Sequence, residues 1–231
     1  MQSVIVTGGT GGIGSSIVQE LCAKGFLVYV IGHSHEPKEM HNMVRFHRCD
    51  VGKLKDVEQF FKNIGHEAAE EIIALVNNAG IYGDDRGEEL LRTNILGPYY
   101  MTNSFAAYRR AHSFSGRGAV INMGSAAALH GVTRSPLYAA SKSALHRLGT
   151  AQALVYAQEG LLSINTLVPG PVATNMLLER KDSLEAAIQH TPSHTLTTPR
   201  EIAEMISVLI EKRNHNIVGS IITIDGGRSI S

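Results

Sequence analysis

Tryptophan is absent from this 231-residue chain, cysteine occurs only twice, and neither charge is in excess, with 21 Lys+Arg against 21 Asp+Glu. The cysteines, Cys22 and Cys49, stand outside any C-x-x-C spacing, so they build no disulfide framework and read as reduced thiols. Balanced charge without a Lys/Arg stripe lacks the electrostatic footprint of a nucleic-acid binder. Apolar runs are short and broken by glycine or charge, so none is long enough to span a bilayer. The N-terminal MQSVIVTGG enters a strand at once with no basic or apolar leader ahead of it, and the expectation is a cytoplasmic protein. The 11 histidines are scattered. His33-x-His35 and His190-x-x-x-His194 have ligand-like spacings, but neither has a nearby cysteine and Pro192 interrupts the second, so no metal is expected.

What is present is an apolar, ordered chain. Hydrophobic residues make up 43%, enough for one well-buried domain over residues 1–231. Apolar runs at 3–7, 28–31, 44–47, 72–77, 119–123, 163–167 and 221–224 read as strands. Amphipathic stretches beginning near Ile13, Lys53, Glu88, Pro136 and Pro199 read as helices, with shorter helical pieces around 175–189. Strands apolar on both faces and separated by helices predict an α/β fold, a doubly wound parallel sheet of about seven strands covered on both sides. Its binding crevice should lie at the carboxyl ends of the strands.

The first strand runs into Thr7-Gly8-Gly9-Thr10-Gly11-Gly12-Ile13-Gly14 and then directly into a helix. Glycines in this place allow a tight turn and close backbone approach to a pyrophosphate at the positive end of the helix dipole. A G-x-G-x-x-G also reads through Gly9, Gly11 and Gly14, so the glycine register stays open. No Gly-Lys-Ser/Thr follows, which argues against a kinase-type phosphate loop. The second strand ends Val30-Ile31-Gly32-His33-Ser34, without the acid that binds a free ribose 2′-hydroxyl. Gly32 leaves room there, and His33 and Ser34 can donate hydrogen bonds to a phosphate. NADP(H) is therefore favoured over NAD(H), although no arginine adjoins the site in sequence.

Tyr138 and Lys142 stand four residues apart in YAASK, so on a helix they share a face. An ammonium near a phenol favours phenolate and predicts a lowered tyrosine pKa. A tyrosine so tuned exchanges a proton with a substrate oxygen. Ser125 lies upstream at the end of the fifth strand, where it either hydrogen-bonds the same oxygen or caps the following segment.

Taken together, T-G-x-x-x-G-I-G at 7–14, Asp50-Val51, Asn77-Asn78-Ala79-Gly80, Asn94, Ser125, Tyr138-x-x-x-Lys142, Pro169-Gly170 with Thr174, and Asp225-Gly226-Gly227 resemble the short-chain dehydrogenase/reductase family in its compact, Rossmann-type form. The resemblance implies that Gly8, Gly12, Ile13 and Gly14 wrap the cofactor pyrophosphate and that Asp50 and Val51 meet the adenine. It places Asn77, Ala79 and Gly80 along the cofactor cleft, and Pro169, Gly170, Val172 and Thr174 against the nicotinamide. Tyr138 and Lys142 would hydrogen-bond its ribose. In the implied mechanism the cofactor gives hydride to a carbonyl carbon while Tyr138 protonates the oxygen and Ser125 hydrogen-bonds it. Lys142 keeps the tyrosine acidic, and Asn94 holds a water that relays protons. From the residues themselves Asn94 also reads as a packing asparagine, and Asp50 as a helix cap.

The implied function is interconversion of a ketone and a secondary alcohol on a small-molecule substrate. The alternative is a catalytically inactive NAD(P)-binding or sensing protein of the same fold. Residues 172–199 should form a substrate lid, partly apolar through Met176, Leu177 and Leu178. The segment from Gly80 to Asn94 is short for the family, and Gly124 replaces a common serine, a change read as inconsequential. Arg109, Arg110 and Arg147 are candidates for a carrier-protein patch but read as solvated. The resemblance also implies a homodimer or homotetramer, formed through the long helices at 88–112 and 136–158.

Overall fold

The computed structural model describes residues 1–33, 41–67, 71–114, 116–130, 134–174, 177, 181–211 and 216–231. Ser34, His35, Met176 and Leu178 lie outside these.

Strands β1 (Gln2–Thr7), β2 (Leu27–Gly32), β3 (Val44–Arg48), β4 (Glu71–Asn77), β5 (Gly118–Met123), β6 (Leu162–Pro169) and β7 (Ile221–Ile224) alternate with helices. These are α1 (Gly12–Ala23), α2 (Leu54–Glu67), α3 (Gly87–Leu91), α4 (Gly97–His112), α5 (Pro136–Gln158), α6 (Lys181–Gln189) and α7 (Pro199–Glu211). The seven strands form one sheet in the order β3-β2-β1-β4-β5-β6-β7, and every pairing is parallel. The doubly wound sheet predicted from the apolar runs is the one observed.

Central strands are apolar on both faces because helices cover both. Alternate residues of β1 show it: Ile5 joins a core with Phe60, Phe105 and Tyr156 from α2, α4 and α5. Val4 and Val6 join the opposite core with Ile17, Leu21, Ile202 and Ile206 from α1 and α7. The sequence changes character at the sheet edges, where β3 and β7 are only partly buried.

The strand order reverses between β1 and β4. Crossovers leaving these strands run to opposite sides of the sheet, and a crevice opens above their carboxyl ends. Arg109 stabilises the sheet from α4 rather than meeting solvent, as expected above. It is 2% exposed, donates to the carbonyls of Ile72 and Gly116, and lies over the rings of Phe105 and Phe114.

Candidate active site

The crevice holds a cleft of about 700 Å³ that runs from the glycine turn to Tyr138 and Lys142. At one end Gly8 and Gly12 have positive φ, 65° and 55°, a backbone that favours glycine. A Cβ on Gly14 would stand 2.1 Å from the Gly8 carbonyl oxygen, so Gly14 permits α1 to pack against the turn rather than lining the cleft. No side chain caps the first turn of α1, and no acid lies in it, so that turn is suited to receive an anion.

The β1 and β4 ends are sewn together by Thr7 and Asn78, motif residues to which the sequence reading gave no role. The Thr7 hydroxyl accepts the backbone N–H groups of Asn78 and Ala79 at 3.0 and 2.9 Å. Asn78 Nδ2 donates to the carbonyls of Thr7 and Gly8, both at 3.0 Å. Asn78, Ala79 and Gly80 line the cleft. Asn77, expected beside them, is 3% exposed and donates to Thr102 and Asn122. The pleat turns its side chain towards the α4 side of the sheet, so the cleft residue is its neighbour.

At the tip of β2 the space expected beside Gly32 is filled. A Cβ there would meet the Phe46 ring at 2.8 Å, so this glycine serves packing. An arginine does reach the tip, carried by the next strand: Gly32 is in register with Arg48, and Arg48 Nε donates to the His33 carbonyl at 3.1 Å. The His33 side chain is 68% exposed and lies 3.9 Å from Asp50 Oδ2. Asp50 braces its own turn ahead of α2 rather than capping that helix. Its Oδ1 accepts from Gly52 N at 3.0 Å, and Lys53 Nζ stands 3.3 Å from its Oδ2. Val51 is buried against Gly97 at the start of α4. Neither residue forms part of the cleft wall described above.

At the other end Met123, Gly124, Ser125, Tyr138 and Lys142 form one wall, with Pro169, Gly170, Val172 and Thr174 beside them. Ser125 does two jobs: its Oγ accepts Ala127 N at 3.2 Å, capping the short 3₁₀ turn 126–128, and it hydrogen-bonds the Tyr138 phenol. Burial pushes the Tyr138 pKa up; the Ser125 bond draws it down, and Tyr82 pushes it up again. The lowering expected from Lys142 is not what the geometry delivers. Lys142 Nζ donates to the Met123 carbonyl at 2.8 Å and lies 5.8 Å from the Tyr138 ring centroid. Burial lowers the Lys142 pKa to about 8.

Asn94 occupies a π-helical turn, Arg92–Leu96, an irregularity often found at functional sites. It is fully buried. Its Oδ1 accepts Ile81 N at 2.8 Å, and its Nδ2 donates to Ile81 O and to Ser141 Oγ. The Ser141 hydroxyl in turn donates to the Tyr138 carbonyl at 2.7 Å. The Asn94 side chain therefore clamps the backbone around the site.

Three more residues went unrecognised in the sequence. Tyr82 packs edge-on against Tyr138 with centroids 5.0 Å apart. Asp84 accepts the backbone N–H groups of Leu137 and Tyr138. His146, one turn beyond Lys142, accepts Ser125 N at its Nε2 over 3.4 Å, and burial, with Lys142 adding to it, lowers its pKa to about 4. It is thus a neutral acceptor at ordinary pH.

A glycine turn under an uncapped helix, facing a Ser–Tyr–Lys wall across the switch point, defines a dinucleotide-dependent oxidoreductase. Residues 2–185 match the short chain dehydrogenase family, and the chain belongs to that family, whose members bind NAD(P) and act on small molecules. Among its relatives is the 3-oxoacyl-[acyl-carrier-protein] reductase MabA of Mycobacterium tuberculosis, 29% identical over 238 residues and covering 98% of this chain and 92% of MabA. Carbonyl reductase family member 4 of Danio rerio is 29% identical over 240 residues, covering 96% of each. Among solved structures, ElxO with NADP bound is 27% identical, with a TM-score of 0.89, covering 100% of this chain and 99% of ElxO.

Proposed function

We propose that this protein reduces a ketone to a secondary alcohol, with Tyr138 as proton donor and NADP(H) as preferred cofactor. The observation that carries the reading is the convergence of Ser125, Tyr138 and Lys142 on one wall of the cleft that begins at the glycine turn. The cleft fits a dinucleotide: Gly8 and Gly12 keep the turn open to it, and the turn passes so near Ala79 across the switch point that a Cβ on Gly8 would stand 2.9 Å from its Cα. When bound, the nicotinamide supplies hydride to the substrate carbon.

The chain's own residues handle the oxygen. Ser125 and Tyr138 converge on the place where a substrate oxygen gains negative charge, and donors fixed in advance are worth most there. Because burial raises the Tyr138 pKa, the phenol holds its proton at neutral pH, which suits the reducing direction. The Lys142 ammonium, anchored on Met123, would bind the cofactor ribose and stabilise the phenolate left after proton transfer. Gly8, Gly12 and Ile13 would hold the pyrophosphate, and Pro169, Gly170, Val172 and Thr174 the nicotinamide. Asn94 positions the site through Ile81 and Ser141.

Arg48 at the β2 tip supports NADP(H), since a guanidinium recognises a phosphate well. Residues 172–199 act as a substrate lid. Exposed Tyr99 on α4 with Leu154 and Val155 on α5 supports pairing of these helices in a homodimer or homotetramer. The test is oxidation of NADPH by a panel of ketones, followed by absorbance. Tyr138→Phe should lower kcat by about 10²-fold or more while NADPH still binds. Equal activity in this variant would refute the assignment.

A further inference from the structure

Beside the Tyr138 wall lies a second cavity of about 420 Å³, continuous with the site through Ile13, Ser125, Tyr138 and Thr174. Its volume is in the range of small-molecule pockets. Its lining carries two arginines. Arg134 comes from the loop before α5 and Arg228 from the turn after β7, and among the described residues no Asp or Glu lines the cavity.

Neither arginine is neutralised among the described residues. Elsewhere on this surface arginines find carboxylates: Arg86 with Glu89, Arg92 with Glu88, Arg110 with Glu159 and Arg200 with Glu204. Asp225, the acid nearest Arg228 in sequence, is committed to its own turn. Its Oδ1 accepts Gly227 N at 3.1 Å, and its Oδ2 accepts Ser229 N at 2.8 Å. Arg228 is nevertheless held in place, because one of its Nη1 protons goes to the Ala187 carbonyl on α6 at 3.3 Å. A guanidinium has five N–H donors, so most of its capacity remains for a ligand. The lining also includes apolar Ala126, Ala127, Val172 and Leu177, together with His130.

We infer that the substrate is an oxo acid: its ketone meets Ser125 and Tyr138, and its carboxylate is received by Arg134 and Arg228 in the adjoining cavity. Arg–carboxylate pairing is directional and frequently bidentate, so the two arginines would select the acid and set its orientation. This inference rests on the ketone reduction proposed above and specifies its substrate class.

The experiment compares straight-chain oxo acids of increasing length, beginning with acetoacetate and levulinate, with their methyl esters, using NADPH as reductant. The acid that fits should exceed its ester in kcat/KM by about tenfold or more, the size of one charge-assisted hydrogen bond. Arg134→Leu and Arg228→Leu should each bring that ratio down by about tenfold, through KM, and Arg→Lys should retain part of it. Because each ratio is measured within one protein, loss of folded enzyme cancels. Esters equal to acids throughout, or a ratio untouched in both Leu variants, would overturn the inference. A binding measurement separates it from the reaction itself. Calorimetric titration of the Tyr138→Phe protein, with and without NADPH, should detect the acid bound more tightly than the ester, with the difference lost in the Arg→Leu backgrounds. If no ketone is turned over, the proposed reduction fails, and this titration alone decides whether the cavity takes an anion. Equal binding of acid and ester in it sinks the inference.

Discussion

The carboxylate of Asp84 accepts the backbone N–H of Tyr138 at 3.2 Å, so the loop after β4 fixes the first turn of the helix that carries the proton donor. Ser135, at the N-cap position of α5, has φ 53° and offers no side-chain cap. Asp84 supplies the missing acceptor from 54 residues away, and its negative charge stands at the positive end of the helix dipole. Asp84 lies in the Gly80–Asn94 segment, which in this way reaches across to α5.

Asp84→Ala should cost about 1 kcal/mol of stability, the usual value of an N-cap, and lower kcat because Tyr138 loses its fixed place. Asp84→Asn keeps an acceptor and should retain most of both. Urea midpoints and initial rates read these effects. An Ala variant with the parent's midpoint and kcat would show the cap to be idle.

Gly124 and His146 form a second lock. A Cβ on Gly124 would stand 2.3 Å from His146 Nε2 and 2.9 Å from Val168 Cγ2, although the substitution of glycine for serine looked inconsequential in sequence. Gly124→Ala should destabilise by about 1–3 kcal/mol through overpacking and reduce activity through the adjoining Ser125. Adding His146→Ala should recover part of the loss, since contacting residues couple. Strict additivity in the double variant would mean that the two side chains do not share this space.

The sheet and the Ser125–Tyr138–Lys142 set were legible because both depend on local periodicity. Runs such as Val28–Ile31 and the four-residue step from Tyr138 to Lys142 carry their geometry in their spacing. What sequence could not supply was pairing across the fold. Arg48 reaches His33 only because β2 and β3 lie in register, and Asp84 reaches Tyr138 only because its loop crosses to α5. Neither relation has a spacing to read. The Tyr138 pKa was misjudged for a related reason: proximity to Lys142 was visible in sequence, whereas burial and the bond from Lys142 to Met123 were not.

Lys142 gives a pH test with a definite sign. Its folded-state pKa is about 8, against an ordinary 10.5. Between those values the unfolded chain binds more protons, so unfolding free energy rises with pH across that window, by up to about 3 kcal/mol. Below pH 8 the cost of burying the ammonium is fully present. Cys49 acts oppositely, since burial pushes its thiol up to about 12 and stability is lost as pH rises above its unfolded value. That contribution is common to parent and variant, so the difference between wild type and Lys142→Met isolates the lysine. The Met variant should gain least relative to wild type at alkaline pH, its advantage shrinking steadily above pH 8 in urea titrations. A pH-independent difference would mean that Lys142 keeps an ordinary pKa in the folded protein.

Arg48 offers a test of the cofactor preference proposed above. Its Nε is committed to the His33 carbonyl at 3.1 Å, which leaves its terminal nitrogens at the tip of β2, where the adenosine ribose of a bound dinucleotide lies in this fold. Asp50 is close by, and an acid there would repel a 2′-phosphate. However, Lys53 stands 3.3 Å from it, and one of its oxygens is held by Gly52 N. Lys53 thus offsets the Asp50 charge, while Asp56, which accepts Asp50 N at 3.3 Å, adds a second carboxylate behind it. Arg48→Gln should weaken NADPH binding by about tenfold, the value of one hydrogen bond to a charged group, and leave NADH binding little altered. Equilibrium titration by fluorescence of the reduced cofactor measures both. If the two cofactors lose affinity equally, Arg48 only braces the β2–β3 tip, and the preference for NADP(H) must be sought in other residues.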